Sequence, residues 1–309
     1  MELVEHFLAF KMLRPQSQKK YESVVALWIK DNGDSIIKDV TRHSAIEWRT
    51  LRMSRDKIAA STWNNNVRHL RAIWNVAIDF QYADTNPFKK MTIAAQIRKK
   101  RTISPAAVEM VRRLLEGSKR QHDPLDRLYP AFFWEAVFET FYQTGMRLSQ
   151  LLGLKWSDIN FEADTILLRA ETSKTHREWP IPIAAKLRPI LFELQERTLP
   201  LRSDISELNV FNPCLFMPER YSLQGPTTSQ ILGIFEYLSD CIGVTISPHR
   251  LRHTIATELM VEPERNVLLV KELLGHTVLS TTMLYVSTPT EAIRNLIDQR
   301  GGRSENNTS

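Results

Sequence analysis

The sequence is short of glycine and cysteine and has no long apolar run, and each shortage excludes a class of protein. Ten glycines make up about 3% of the 309 residues, against roughly 7% in an average protein, which argues against a many-stranded β fold. Two cysteines, Cys214 and Cys241, form neither a CxxC pair nor a disulfide framework, as expected in a reducing cytosol. No apolar run approaches the ~20 residues of a membrane span, and the first residues carry acids where a secretory signal carries bases. We therefore expect a helix-dominated cytoplasmic protein that does not enter a membrane.

Positive charge is concentrated in the first third of the chain. The net charge is +6, but residues 1–101 hold 19 Lys and Arg against 10 Asp and Glu, a net +9, and the remaining residues hold 22 against 25, a net −3. This third ends in four consecutive basic residues: Arg98, Lys99, Lys100 and Arg101. Such a run fits a phosphate-binding strap, a solvated linker or a localisation signal. We interpret it as a candidate DNA contact within a linker over residues 94–103.

Residues 1–93 have the apolar periodicity of a small helical domain. Its clearest helix has Thr62 as the expected N-cap and an apolar stripe from Val67 to Ile78. The opposite face carries amides and guanidinium groups: Asn64, Asn65, Arg68 and Arg71. These side chains suit the edges of adenine and guanine in a major groove and the phosphates beside it. The face is therefore a candidate DNA-binding surface, with a plainly solvated helix face as the alternative.

A second domain is expected over residues 104–300. It opens at Ser104-Pro105, a capping residue followed by proline at the first helical position. Its β signal is a hairpin with strands at 166–168 and 179–181, and helices are expected on both sides of it. A polar tail, expected to fray, closes the chain at 301–309. The predicted fold is mainly α with a small β-hairpin or sheet, in two domains of which the second is α+β.

The reactive side chains of the second domain fall in four short stretches of sequence. Arg147 follows a Thr-Gly turn, and Lys174 occupies the hairpin turn. His249 and Arg252 share one helix face at a spacing of three. His276 comes directly after a Leu-Gly pair, and Tyr285 follows it by nine residues. Each of them alone has an ordinary structural explanation, such as a solvated lysine or a packed tyrosine. As a set they suit a phosphodiester, because guanidinium forks match pairs of phosphate oxygens, and they include no metal-binding cluster.

Together these stretches resemble the tyrosine recombinase (phage integrase) family. The matching text is TGMRLSQLLGLKWSDI at 144–159, HRLRHTIATEL at 249–259 and LLGHTVLSTTMLYV at 273–286, in the family's order and spacing. A looser resemblance to the family's core-binding helices covers STWNNNVRHLRAIWNVAIDF at 61–80. The resemblance implies a two-domain DNA clamp that acts as a site-specific recombinase and needs no metal or other cofactor.

The resemblance also implies a role for each reactive residue. Tyr285 would attack the scissile phosphate, giving a 3′-phosphotyrosyl link and a free 5′ hydroxyl. His249 would act in proton transfer at the tyrosine, and Lys174 would protonate the departing 5′ oxygen. Three residues would bind the phosphate and stabilise the charge of the transition state: Arg147, Arg252 and His276.

Two features of this chain bear on which members of the family it resembles. An acidic residue is usual three positions after the first arginine, but Gln150 stands here and supplies no countercharge for Arg147. The first predicted helix begins at about residue 2, so the layout resembles Xer-like recombinases and simple integrases rather than lambda-type integrases with an arm-binding domain.

We expect a double-stranded recombination site as the partner, a tetramer on DNA, and accessory DNA-bending or directionality factors. The apolar segment 292–297 would dock on a neighbouring copy or pack on its own domain.

Two other functions stay open on the sequence alone. One is a type IB topoisomerase-like enzyme that relaxes DNA by related chemistry, and the other is a catalytically idle DNA-binding regulator. The favoured interpretation is a nucleoid-associated recombinase that integrates, excises or resolves a mobile element or replicon.

Overall fold

The computed structural model describes residues 2–94, 102–121, 123–173, 177–202, 204–221, 225–260 and 263–285. The chain divides into two compact units, Met1–Lys99 and Lys100–Ser309, each with its own hydrophobic core. Several sequence predictions fall outside the described residues: Arg98, Lys99, Lys100, Arg101, Lys174, the segment 292–297 and the tail 301–309. Within the described ranges, no helix is long and apolar enough to cross a membrane.

The described part of the first unit is built from four helices: α1 (Glu2–Lys11), α2 (Pro15–Asn32), α3 (Arg42–Ser54) and α4 (Ala60–Asp79). The apolar stripe of α4 is its buried face, and Trp63, Val67 and Leu70 on it are all 0% exposed. Trp28 of α2 and Trp48 of α3 complete this core, with their rings edge to face and 5.2 Å between centroids. The helical periodicity therefore identified the core of this unit.

The starts of α3 and α4 differ in how their backbone donors are satisfied. Thr41 caps α3, because its side chain accepts a hydrogen bond from the backbone N–H of Ser44. The prediction of Thr62 as the N-cap of α4 is wrong. The helix begins at Ala60 after Ala59, which has extended backbone and no capping side chain, so Thr62 lies inside the first turn.

The described residues of the second unit form eight helices and one small sheet. The helices are α5 (Pro105–Gln121), α6 (Ala131–Thr144), α7 (Leu148–Gly153), α8 (Arg188–Thr198), α9 (Thr228–Ile242), α10 (Pro248–Leu259), α11 (Pro263–Leu274) and α12 (Leu279–Met283). The sheet is antiparallel in the order β1 (Ile159–Asn160), β2 (Thr165–Leu168) and β3 (Trp179–Pro182). Ile166 pairs with Ile181, and Leu168 pairs with Trp179, as the hairpin prediction requires. The prediction of a mainly helical fold with a small sheet is confirmed.

Helix α6 runs through the core of the second unit and packs against α5, α8 and α10. Its aromatic residues Phe133, Trp134, Phe138 and Phe141 are at most 1% exposed, so the helix is buried on nearly all sides. Burial of this kind explains why the sequence of α6 lacks a polar stripe. The helix ends at Gly145, which has left-handed backbone, and this end faces α10. The end of α6 therefore lies beside the helix that carries two of the predicted reactive residues.

Candidate active site

Arg252 is the buried centre of the candidate site and is 6% exposed. Its Nη1 donates to the backbone carbonyl of Gly145 after α6, and its Nη2 donates to that of Leu274 at the end of α11, both at 2.7 Å. Carbonyl groups at helix C-termini carry partial negative charge, so they offset part of the cost of burying this cation. Burial and the nearby positive charge of Arg147 still lower the pKa of Arg252 well below its ordinary value.

Two glycines allow these helix ends to approach the buried guanidinium. Gly145 and Gly275 both have left-handed backbone, with φ of +62° and +60°. A Cβ on Gly145 would lie 2.7 Å from Cγ2 of Ile255, and a Cβ on Gly275 would lie 2.2 Å from two ring carbons of Trp179. Both positions therefore need glycine for conformation and for space. Since Trp179 belongs to β3, the sheet supports the turn that leads into the next site residue.

His276 links Arg252 to α12 and is 6% exposed. Its Nε2 lies 3.2 Å from Nη2 of Arg252, and its Nδ1 lies 2.9 Å from Oγ1 of Thr282. Because a guanidinium group only donates, Nε2 accepts in this arrangement, and the proton on Nδ1 is donated to Thr282. The Thr282 hydroxyl is 0% exposed and can also donate, so it is able to support either neutral form of the histidine.

Tyr285 follows α12 and is 7% exposed. Its ring is nearly parallel to that of His276, at 7° and 6.2 Å between centroids, and it lies 5.2 Å from the ring of His253. Burial raises the pKa of Tyr285, and the positive charges of Arg252 and Arg147 act in the opposite direction. The phenol is therefore protonated at neutral pH, but it lies near two cations that would stabilise its anion.

Arg147 is the N-cap residue of α7 and follows the turn at the end of α6, as predicted. Its backbone N–H donates to Oε1 of Gln150 at 2.7 Å, and Gln150 is 1% exposed. Burial lowers the pKa of Arg147, and the nearby Tyr285 acts to raise it. Among the described residues, neither Nη1 of Arg147 nor Nε2 of Gln150, both buried, has a hydrogen-bond partner. Gln150 therefore orients the backbone at Arg147 without adding a countercharge.

A second histidine of α10 joins the predicted His249. The Nε2 atoms of His249 and His253 are 2.8 Å apart, and their ring centroids are 4.2 Å apart. His253 also contacts the ring of Tyr285, so one side chain contacts both His249 and the tyrosine. The sequence analysis assigned no role to His253. The available signal was its spacing of four residues from His249, which places both on one face of a helix.

Five of the six predicted reactive residues lie together in the second unit: Arg147, His249, Arg252, His276 and Tyr285. The sixth, Lys174, is outside the described residues. Two further residues enter the site without having been predicted, His253 and Thr282.

The predicted DNA-binding face of α4 is only partly available. Asn64 departs from the prediction because its amide nitrogen donates to the carbonyl of Ile93 and its amide oxygen accepts from the N–H of Ile93, at 2.8 and 2.9 Å. It holds the chain that returns along α4, and it does not present its amide to a groove. Asn65 and Arg68 are exposed, and Arg71 is half-buried. The basic run at 98–101 falls in a stretch that the structure does not describe.

Comparison with known families agrees with this site. The phage integrase family model matches residues 108–291, and the model of the phage integrase N-terminal domain matches residues 1–93. The chain belongs to the phage integrase family. This confirms the resemblance inferred from three motifs and places the chain among tyrosine recombinases, which are enzymes.

Several members of the phage integrase family are similar to this chain over most of its length. A Pseudomonas aeruginosa protein named as a tyrosine recombinase XerC is 34% identical over 307 residues, covering 97% of this chain and 71% of that protein. A Pseudomonas syringae protein of the same name is 32% identical and covers 97% of this chain and 64% of its own length. The tyrosine recombinase XerD of Mycobacterium tuberculosis is 26% identical, covering 86% of this chain and 84% of that protein. The two Pseudomonas proteins are thus considerably longer than the stretch they share with this chain.

Solved structures of integrases share the fold at low sequence identity. The Tn1549 transposon integrase in complex with circular intermediate DNA has a TM-score of 0.75 at 20% identity, covering 96% of this chain and 98% of that chain. A lambda integrase tetramer bound to a Holliday junction has a TM-score of 0.65 at 18% identity, and the match covers 91% of this chain and 75% of that chain. The two-domain integrase fold is therefore common to all three proteins.

Proposed function

We propose that the protein is a site-specific DNA recombinase that cuts and rejoins DNA through a 3′-phosphotyrosyl intermediate on Tyr285. The observation that carries the proposal is the position of Tyr285, a buried phenol between two histidine rings and near two guanidinium groups. A phenol that is only packed in a core needs no cations nearby. A phenol that attacks a phosphate needs them, because both the nucleophile and the phosphate carry negative charge in the transition state.

Arg147 and Arg252 would bind the scissile phosphate. Burial lowers the pKa of both, and Arg147 adds to the effect on Arg252, so an anion placed between them would relieve an unfavourable concentration of positive charge. The described contacts of Arg252 use three of its five N–H groups and leave two for phosphate oxygens. Such fixed donors act most strongly on the transition state, where charge on the non-bridging oxygens is greatest. His276 would add a further hydrogen bond to the same phosphate in its other neutral form, in which Nε2 carries the proton and Nδ1 accepts from the hydroxyl of Thr282.

Proton transfer is needed at both ends of the reaction. The phenol of Tyr285 must lose its proton as it attacks, and we assign this transfer to His249, which is hydrogen-bonded to His253, the ring in contact with Tyr285. The departing 5′ oxygen must gain a proton, and we assign Lys174 to that step. Because the phosphotyrosyl bond retains the energy of the phosphodiester bond, a 5′ hydroxyl can reverse the attack without ATP or a metal ion.

Recombination, as distinct from simple cleavage, requires two cut sites in one assembly. The similarity to a lambda integrase tetramer on a Holliday junction supports the proposal that four copies of this chain assemble on two double-stranded DNA sites. The similarity to a transposon integrase with circular intermediate DNA supports a mobile element or replicon as the substrate. Exposed Asn65 and Arg68, with the basic run 98–101, are the proposed DNA contacts outside the active site. Accessory DNA-bending or directionality factors would determine the direction of exchange.

Covalent trapping tests the proposal directly. The protein is incubated with a library of nicked duplex oligonucleotides of random sequence, in which cleavage releases a short fragment and prevents rejoining. We expect wild-type protein to become attached to a defined subset of sequences, and Tyr285→Phe to bind the same sequences without covalent attachment. DNA binding with no adduct for wild type would refute the enzyme and indicate a regulator. Relaxation of supercoiled plasmid without dependence on sequence or on pairing of sites would indicate a topoisomerase.

A further inference from the structure

The two histidines on one face of α10 form a directly bonded pair. Their Nε2 atoms are 2.8 Å apart, which is a hydrogen-bond distance, and their rings are nearly perpendicular at 79°. His249 is exposed and His253 is half-buried, so the pair runs from the surface of the helix toward the interior of the site. At its inner end the ring of His253 packs against that of Tyr285.

A hydrogen bond between two Nε2 atoms restricts where the protons of the pair can be. One Nε2 must carry a proton and donate it, and the other must be unprotonated and accept it. When both rings are neutral, the accepting ring carries its proton on Nδ1, and the donating ring has an unprotonated Nδ1. The pair can therefore take up one more proton, on Nδ1 of the donating ring, and keep its hydrogen bond. The resulting imidazolium then donates to a neutral imidazole, which is a charge-assisted bond and stronger than the original one.

We propose that His253 is a positioning residue of the cleavage reaction: it holds His249 in the orientation for proton transfer and stabilises the imidazolium that forms there, while its ring fixes Tyr285. The inference rests on the proposed function, because it assigns a part in that same reaction. It explains why a polar, half-buried side chain contacts both the tyrosine and His249, where an apolar residue would fill the space equally well.

Oη of Tyr285 forms a bond to phosphorus while the bond from phosphorus to the 5′ oxygen breaks. The phenol proton passes to Nδ1 of His249, which is the donating ring of the pair in this step, and His249 becomes an imidazolium. The departing oxygen takes a proton from the acid assigned to Lys174, so the cleaved strand ends in a neutral 5′ hydroxyl.

Two substitutions separate the hydrogen bond of His253 from its packing. Glutamine places an amide where Nε2 of the histidine lies, and leucine fills the space without a hydrogen-bonding group. On the nicked duplexes that wild-type protein cleaves, we expect His253→Leu to form the covalent adduct about 10- to 100-fold more slowly than wild type. This loss of rate is smaller than the 10²–10⁴-fold loss typical of removing a general base. His253→Gln is expected to recover most of the rate. In a gel-shift assay, the DNA affinity of both variants should change by less than about threefold, because a single hydrogen bond that does not involve the phosphate contributes little to DNA binding.

A substrate with sulfur in place of the bridging 5′ oxygen locates the defect within the reaction. A thiolate leaves without a proton donor, so this substrate restores cleavage to a variant that has lost the acid for the leaving group. His253→Leu is expected to stay slow on it, because its defect concerns the nucleophile. Full recovery on the sulfur substrate would overturn the inference.

Two further results distinguish failure of this inference from failure of the proposed function. Equal rates of adduct formation for wild type and His253→Leu would overturn the role of His253 and leave the recombinase proposal intact. Imidazole ¹⁵N NMR of the DNA-free protein tests the pair without any cleavage. We expect His253→Leu to shift the Nε2 resonance of His249, with a smaller shift in His253→Gln. An unshifted resonance in the leucine variant would overturn the inference whatever the protein does to DNA.

Discussion

Thr282 offers a test of how the site holds His276, the histidine proposed to bind the phosphate. Its hydroxyl is 0% exposed and lies 2.9 Å from Nδ1 of His276, whose other nitrogen contacts Arg252. Thr282→Val keeps the shape of the side chain and replaces the hydroxyl with a methyl group. Nδ1 of His276 then loses this partner in a buried site, in either neutral form of the ring.

The size of the effect follows from that geometry. Depriving a buried polar group of a hydrogen-bond partner costs about 1–3 kcal/mol, which corresponds to a factor of roughly 5 to 150 in population. Rotation of the His276 ring toward another partner would recover part of this energy. The rotated ring would then no longer place Nε2 beside Arg252 and the proposed phosphate. We therefore expect Thr282→Val to slow adduct formation by up to about two orders of magnitude.

Two controls separate the hydrogen bond from packing and from helix stability. Thr282→Ser keeps the hydroxyl and loses a buried methyl group, so it should lower the free energy of unfolding by about 1 kcal/mol and leave the cleavage rate within about threefold. Thr281→Val makes the same chemical change at the exposed neighbouring position of α12 and should leave both quantities nearly unchanged. Denaturant unfolding and suicide-substrate kinetics give the two readouts. If Thr282→Ser slows cleavage as much as Thr282→Val does, the hydrogen bond is not what the site requires.

Two further predictions concern stability. Gly275→Ala should lower the free energy of unfolding by several kcal/mol, because its Cβ would lie 2.2 Å from the Trp179 ring and its backbone is left-handed. Gly117→Ala, in open space within α5, should raise the free energy of unfolding by about 0.5–1 kcal/mol. Similar denaturation midpoints for the two variants would contradict the packing argument. Asn64→Ala should destabilise the first unit by about 1–3 kcal/mol through its two bonds to Ile93, and Asn65→Ala by less than about 0.5 kcal/mol while weakening DNA binding. Equal stabilities for the two asparagine variants would show that the contact to the returning chain contributes nothing.

Local patterns were sufficient for the helices and the hairpin, since the buried faces of α4 and of the strands repeat at the expected spacing. They failed where a distant part of the chain decides the outcome. Asn64 and Asn65 are indistinguishable by composition, and only the return of the chain at Ile93 makes one structural and leaves the other exposed. Thr62 has the chemistry of a cap, but α4 begins two residues earlier at Ala60.

The reactive residues could be listed from the sequence, but their connections could not. Arg252 bonds to Gly145, 107 residues away, and to Leu274, 22 residues away, and only the packing of α10 against two helix ends produces this arrangement. The contact between His249 and His253 is different, because helical spacing alone places both rings on one face. The sequence therefore predicts the contact of His253 with His249, although the family motif assigns a role only to the first histidine.

Gln150 shows how the site keeps its positive charge. An acidic side chain there would add a negative charge near Arg147, which would raise the pKa of the guanidinium and offset part of the cost of its burial. The amide accepts the same backbone hydrogen bond, at 2.7 Å, and adds no charge. Half-buried Arg147 and buried Arg252 therefore both keep lowered pKa values in the free protein, and an anion from outside would stabilise their charged forms. If the site binds the proposed phosphate, it would give up some stability when empty and gain affinity for that anion, the trade expected where a binding site departs from the rules that stabilise the rest of a fold.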